Sequence, residues 1–246
     1  MVLAAIVASF FLLLAIEALR PSRREMPQVP GWRLIGIAGF ALTLTVMTLS
    51  PLIILPWFAW ISLLDLSGWG NWAALPAIVL NSFLFYWAHR IQHRFDLLWR
   101  LGGHQLHHSV ARIDVASAYI FHPVDTFVQT IGSVAAAVLL GLTPMAGALA
   151  GVLYFWITVY QHLNVDTPRW TGHFIQRPEA HMFHHQFNVH ARNFGDLPVW
   201  DMLFGTYYNP PRADDIRVGF EPERARRWLA IMLFVDVNRG EARERI

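Results

Sequence analysis

The chain contains no cysteine and no lysine. Without cysteine it forms no disulfide, holds no thiolate-bound iron–sulfur cluster and has no thiol nucleophile. All 19 basic residues are therefore arginines, and they are spread through polar segments instead of gathered into a tract. The sequence pI of about 9.3 thus does not indicate a nucleic-acid partner. No Gly-x-Gly-x-x-Gly loop is present to bind a dinucleotide, and no His-Glu-x-x-His pair to give a zinc hydrolase its general base. Charged residues are only 15% of the 246 positions, and long stretches have none.

What fills those stretches is apolar. Hydrophobic residues make up 55% of the chain and the mean hydropathy is +0.37, values that indicate a membrane protein. Eleven Trp and six Tyr suit a chain with much surface at the bilayer interface. Five apolar segments stand out, at 2–19, 34–57, 73–88, 124–141 and 144–161. The second contains Pro51 and Pro56, which predict a kink or a re-entrant continuation. The last two are separated only by Leu142 and Thr143 beside Gly141 and Pro144, the pattern of a tight helical hairpin. Residues 124–141 would span ~27 Å as a helix, close to the ~30 Å hydrocarbon core. The first segment lacks a basic stretch before it and has Glu17 near its end, with Arg20, Arg23 and Arg24 following, so it reads as a retained membrane helix and not a cleaved signal peptide.

Counting crossings gives an outside N-terminus and puts all 19 Arg on one face, with only Asp65 in the opposite loops. The positive-inside rule makes the arginine face cytoplasmic. The expected fold is all-α: a polytopic integral membrane helical bundle with a cytoplasmic histidine-rich helical cap. Its parts are N-terminal transmembrane helices over 1–72, a histidine-bearing catalytic region over 73–210 and a cytoplasmic tail over 211–246. Within the tail, Glu221 to Val235 reads as an amphipathic helix lying at the interface or as a terminal helix packed on the cap.

Eight of the 12 histidines fall in three clusters, His89-x3-His93, His104-x2-His107-His108 and His181-x2-His184-His185, all on the arginine face. Residues three and four apart share a helix face, so each cluster is expected to present two or three imidazoles in one direction. Imidazole suits Fe, Zn, Cu or Ni, and three such faces converging would hold two metal ions with no carboxylate. His162 follows the fifth apolar segment at the level of the clusters and reads as a further ligand or a hydrogen-bonding neighbour of one. His122, before Pro123, reads as an outer hydrogen-bond partner or a helix cap, and His173 and His190 as surface or structural residues. Asp166, four after His162, could orient an imidazole or cap a turn before Pro168.

In order and spacing these elements resemble the fatty acid hydroxylase/sterol desaturase superfamily over about residues 80–208. The matching residues are the three clusters with Phe121-His122-Pro123, Gln161-His162-x-Asn164 and Pro178-Glu179-Ala180. Asn193-Phe194-Gly195 and the run from Trp200-Asp201 to Thr206 resemble its closing motif. The resemblance implies a non-haem di-iron site that uses O2 and external electrons to hydroxylate, desaturate or cleave a lipid, with the eight clustered histidines and His162 as ligands. Where the family often has a second histidine near position 162, this chain has Asp166 or His173. Asn164, Asn193 and Asp201 fall to the surrounding hydrogen-bonding layer, and zinc can replace iron in recombinant protein.

Breaking an unactivated C–H bond needs an oxidant that no side chain supplies, so the expected cofactor is two Fe with O2 as co-substrate. The chain offers no module for electron delivery. The expected partners are a membrane lipid (fatty acyl, sterol or isoprenoid) and a separate donor, a ferredoxin or a cytochrome with its reductase, docked on arginines such as Arg94, Arg100, Arg112, Arg177 and Arg192. The expected setting is lipid biosynthesis in a bacterial inner membrane. The competing readings are a membrane zinc-dependent hydrolase, which lacks its general base here, and a metal-binding transporter, which would place ionisable residues at mid-membrane.

Overall fold

The computed structural model describes residues 2–19, 25–58, 60–239 and 244–245. It is mostly helical. Arg20, Arg23 and Arg24, which argue for a retained first helix, lie outside the described residues. Five long helices coincide with the five apolar segments: α1 Val2–Leu19, α2 Trp32–Phe58, α3 Ala74–Arg94, α6 Pro123–Leu139 and α7 Pro144–His162. Short helices α4 Asp96–Leu101 and α5 Gln105–His108 follow α3, and α8 Pro178–His184 and α9 Val199–Leu203 follow α7. By length and composition two helices, α1 and α2, are apolar enough to cross a membrane, and α6 is a shorter apolar helix of 17 residues.

Helix α2 runs unbroken through Pro51 and Pro56, so neither proline produces a re-entrant piece. At 1.5 Å per residue its length is ~40 Å, enough to cross and extend beyond the core. The α6–α7 hairpin forms as its residues dictate. Gly141 takes φ +61°, with Gly141 N bonded to Val138 O and Leu142 N to Ala137 O, closing α6 in a Schellman motif. Thr143 Oγ1 then accepts from Ala146 N at 3.2 Å and Pro144 occupies the first turn of α7.

Helices α2, α3 and α6 pack side by side, with α7 against α3 and α1 against α7. Gly36 lets α2 press onto the segment leading to α6, since a Cβ there would sit 2.5 Å from Ala116 O. One core cluster joins Phe10, Phe40, Tyr119 and Phe155, with the Phe10 and Phe40 rings stacked at 3.9 Å. A second, around Trp99, Leu106, Met182, Phe220 and Ile231, holds α5 and α8 in the cap. The tail is two short helices, α10 Pro222–Ala225 and α11 Trp228–Met232, and not one amphipathic helix. Buried Ile231 anchors α11 on the cap while Trp228, Leu229 and Leu233 remain exposed. A two-residue strand, β1 Val189–His190, pairs in parallel with β2 Glu244–Arg245.

Candidate metal centre

A carbonyl oxygen only accepts, so a ring nitrogen facing one carries the hydrogen. His89 Nδ1 lies 2.7 Å from Phe194 O, His162 Nδ1 2.8 Å from Thr158 O and His184 Nδ1 2.9 Å from Arg192 O. His104 Nδ1 donates to the Asp125 carboxylate at 2.8 Å. His181 Nδ1 donates to Gln176 Oε1 at 2.7 Å, and that amide's orientation is fixed because its Nε2 donates to Asn193 O at 2.7 Å. A neutral ring protonated at Nδ1 presents a lone pair at Nε2.

The consequence is visible between two of these rings. His162 Nε2 and His181 Nε2 face each other at 3.2 Å, both as lone pairs with no protein hydrogen between them. That contact is repulsive for the protein alone and becomes favourable when a cation is shared. His104 Nε2 is likewise buried without a hydrogen-bond partner among the described residues. The donor set therefore fits metal ions that take neutral nitrogen ligands.

All nine predicted ligands are buried and come together in two groups. His89, His93, His104, His108 and His184 form one, and His107, His162, His181 and His185 the other, with the candidate nitrogens of each group within 4.8 Å of one another. The clusters do not each point in one direction, as expected from sequence: the second and third are divided between the groups. Adjacent helical residues project ~100° apart at 3.6 per turn, so His107 parts from His108 and His184 from His185. Where two neighbours on one short stretch share a group, as His89/His93, His104/His108 and His181/His185 do, they are four apart.

The surrounding layer differs more from expectation. His122 is a cap: its Nδ1 accepts from Val124 N at 3.1 Å, so its Nε2 hydrogen points to Met232 O at 3.2 Å. Gly103, at φ +74°, makes room for that ring, since a Cβ there would lie 2.3 Å from it. Asp166 is exposed in the loop after α7 and belongs to neither group, and His173 is exposed as well. The backbone of Asn164 donates to Glu17 at 3.2 Å, tying α1 to the end of α7.

Two predicted residues do brace the centre. Asn193 adopts φ +57° and donates through Nδ2 to Ala180 O and Tyr208 O, clamping α8. Asp201 accepts from Phe194 N, Gly195 N and Thr206 Oγ1, which fixes the Phe194 carbonyl that holds His89. Burial pushes the Asp201 carboxyl up to about 6 despite those three donors. Burial also lowers the rings of His107, His108, His181 and His185 well below the usual 6.5, with neighbouring imidazoles adding repulsion, and takes His184 down to about 3 against the opposing pull of the Arg192 carbonyl. Neutral imidazole is the ligating form.

Several supporting residues were missed from sequence. Asp125, in the first turn of α6, holds His104 and also accepts from Gln92 Nε2 at 3.1 Å. Gln176 holds His181. His190, which its sequence position suggests is surface or structural, is buried with its Nδ1 2.9 Å from His93 Nδ1. Arg177, named as a docking arginine, is 1% exposed and paired with Glu179 at 3.0 Å, so it braces the start of α8 and offers no docking surface. No spacing rule links any of these to its histidine, because the chain brings them together only on folding.

The fatty acid hydroxylase model matches residues 74–206, more than half of the chain and all nine histidines. The chain belongs to the fatty acid hydroxylase family. It is 34% identical over 158 residues to ornithine lipid hydroxylase OlsE of Rhizobium tropici, covering 62% of this chain and 47% of that one. It is 32% identical over 162 residues to Delta(7)-sterol 5(6)-desaturase ERG3B of Gibberella zeae, covering 62% and 48%. It is 27% identical over 156 residues to alkylglycerol monooxygenase of Danio rerio, covering 62% and 33%. The chain thus spans about half the length of the first two relatives and a third of the last. No solved structure matches it. The relatives are lipid hydroxylases and desaturases, and within this family the two histidine groups fall inside the shared region.

Proposed function

We propose that this chain is a multi-pass membrane oxidoreductase of lipid biosynthesis that uses O2 to hydroxylate or desaturate a lipid, with two irons held by the nine histidines. The observation that carries the reading is the pair of lone-pair-bearing histidine groups set side by side. A single cavity is lined by His89 and His104 from one group and by His107, His162 and His181 from the other, so one substrate position adjoins both. Iron bound there would supply the electrons and oxidising power that O2 needs to attack an unactivated C–H bond.

The protein's own part is positioning. Phe194 O, Thr158 O, Arg192 O, Asp125 and Gln176 hold five rings with Nε2 inward. Phe85, Phe121 and Phe194 supply the apolar part of the cavity wall. With the N-terminus outside, α1, α2, α3, α6 and α7 would each cross the bilayer, placing the centre at the cytoplasmic face of what we take to be a bacterial inner membrane. The lipid would then approach from between the spans, and electrons from a separate soluble carrier. The arginine distribution supports that orientation.

The test is a comparison of membranes containing wild-type protein with membranes containing a His184→Ala, His185→Ala double variant. Supplied with a ferredoxin and its reductase under 18O2, wild-type membranes should yield lipids bearing labelled oxygen or a new double bond, and the variant none. Equal product from both would overturn the reading.

A further inference from the structure

Helix α6 carries Thr126, Gln129, Thr130 and Ser133 at helical spacing along one face of a helix that is otherwise apolar beyond Asp125 in its first turn. All four line a second small cavity, together with Thr43 of α2, Asn81 of α3 and Tyr154 of α7. That cavity and the one between the histidine groups share Phe85, Phe121, Gln129, Tyr154 and Thr158, so the two adjoin across these side chains. Polar groups facing the interior of a membrane helix bundle either bond across helices or line a ligand path, and their hydrogen-bond partners distinguish the two.

Two of the four are satisfied by their own helix. Thr130 Oγ1 donates to Thr126 O at 2.8 Å and Ser133 Oγ to Gln129 O at 3.4 Å. Thr126 Oγ1 and Gln129 Nε2 are buried and have no hydrogen-bond partner among the described residues. A buried donor without an acceptor is costly, and this chain keeps two of them one turn apart, Gln129 lining the cavity between the histidine groups and Thr126 the adjoining one. Both cavities are narrow, a shape that suits a slim chain segment.

We infer that Gln129 and Thr126 select the substrate by donating to an oxygen, hydroxyl or carbonyl, carried on a slim unbranched lipid segment close to the carbon that is oxidised. This rests on the oxidation centre proposed above and narrows its substrate class. A plain alkyl tail leaves both donors unpaired, whereas an oxygen-bearing acyl segment satisfies them. The discrimination is of the kind seen wherever a site is built to bond a substrate oxygen.

The experiment uses full-length protein in membranes, the total lipid extract of the host as probe, 18O2 and mass spectrometry of the products. The variants are Gln129→Leu, Thr126→Val, Thr126→Ser and His184→Ala. Removing an unpaired buried donor in an isosteric swap should leave the melting temperature equal or higher. Gln129→Leu and Thr126→Val should each lower the product rate about tenfold, mainly by raising the lipid concentration that half-saturates the enzyme, and Thr126→Ser should retain activity. Absence of any His184-dependent product in wild-type membranes would refute the oxidation centre itself. A wild-type product that Gln129→Leu and Thr126→Val make equally well, or a lower melting temperature in both, would refute the selection by oxygen alone.

Discussion

His104 donates from Nδ1 to the Asp125 carboxylate at 2.8 Å, with both side chains essentially inaccessible. The bond joins the segment before α5 to the first turn of α6 and turns His104 Nε2 toward the five-histidine group. Asp125→Asn keeps the shape but gives up the charge that makes the ring a stronger donor to metal. Outer partners of this kind are worth about 10- to 100-fold in metal affinity or activity. We expect a loss in that range, measured by iron retention after chelator challenge, with helix content unchanged.

Acid should destabilise the metal-free protein. Burial holds the rings of His107, His108, His181, His184 and His185 below the ordinary 6.5, so as pH falls beneath that value the unfolded chain takes up protons that the folded chain refuses. Stability from these groups is complete above about pH 6.5 and is lost progressively toward pH 3. Asp196 and Asp201, raised by burial, act in the opposite sense between the ordinary 3.8 and about 6 for Asp201. Five rings against two carboxyls decide the direction. Melting temperature in detergent should fall from pH 7 to pH 5, and a flat or rising profile would contradict the assignment of buried neutral imidazoles.

Much of this was legible in the sequence, for identifiable reasons. The five apolar segments predicted the five long helices, although α3 runs six residues beyond its segment, and Gly141, Thr143 and Pro144 left the backbone little choice at the α6–α7 turn. Eight histidines announced themselves through spacing, and His162 through its place at the end of the fifth apolar segment. The division of His107 from His108 was implicit in helix geometry but hidden by reading each cluster as a unit. Asp125, Gln176 and His190 were not legible at all, since each meets its histidine only through tertiary packing. Arg177 illustrates the reverse error: charge pattern suggests surface, and the fold buries it against Glu179.

Topology is open to cysteine labelling on a chain that has no cysteine. Ser67 and Arg212 are both exposed, and the proposed orientation puts them on opposite sides. A cysteine at 67 should react with an impermeant reagent from outside intact cells and one at 212 only after lysis. The opposite pattern would move the histidine centre to the other face.

Electron supply should depend on a separate carrier. Purified protein with host lipid and NADPH alone should be inactive, and a ferredoxin with its reductase should restore turnover. If Arg94, Arg100 and Arg192 help to steer an acidic carrier, the carrier-limited rate should fall as salt rises. A salt-independent rate would remove the arginine surface from the account, and turnover without any carrier would remove the carrier.

Metal content tests the central claim most directly. Protein expressed with iron and purified anaerobically should contain about two irons per chain, bound by nitrogen ligands, as five and four histidines per group allow. Changing His181 and His185 to Ala should empty the four-histidine group and leave about one iron, while changing His89 and His93 to Ala should do the same for the other. Full iron in both variants, or a wild-type protein that binds none under these conditions, would contradict a centre built from the nine histidines.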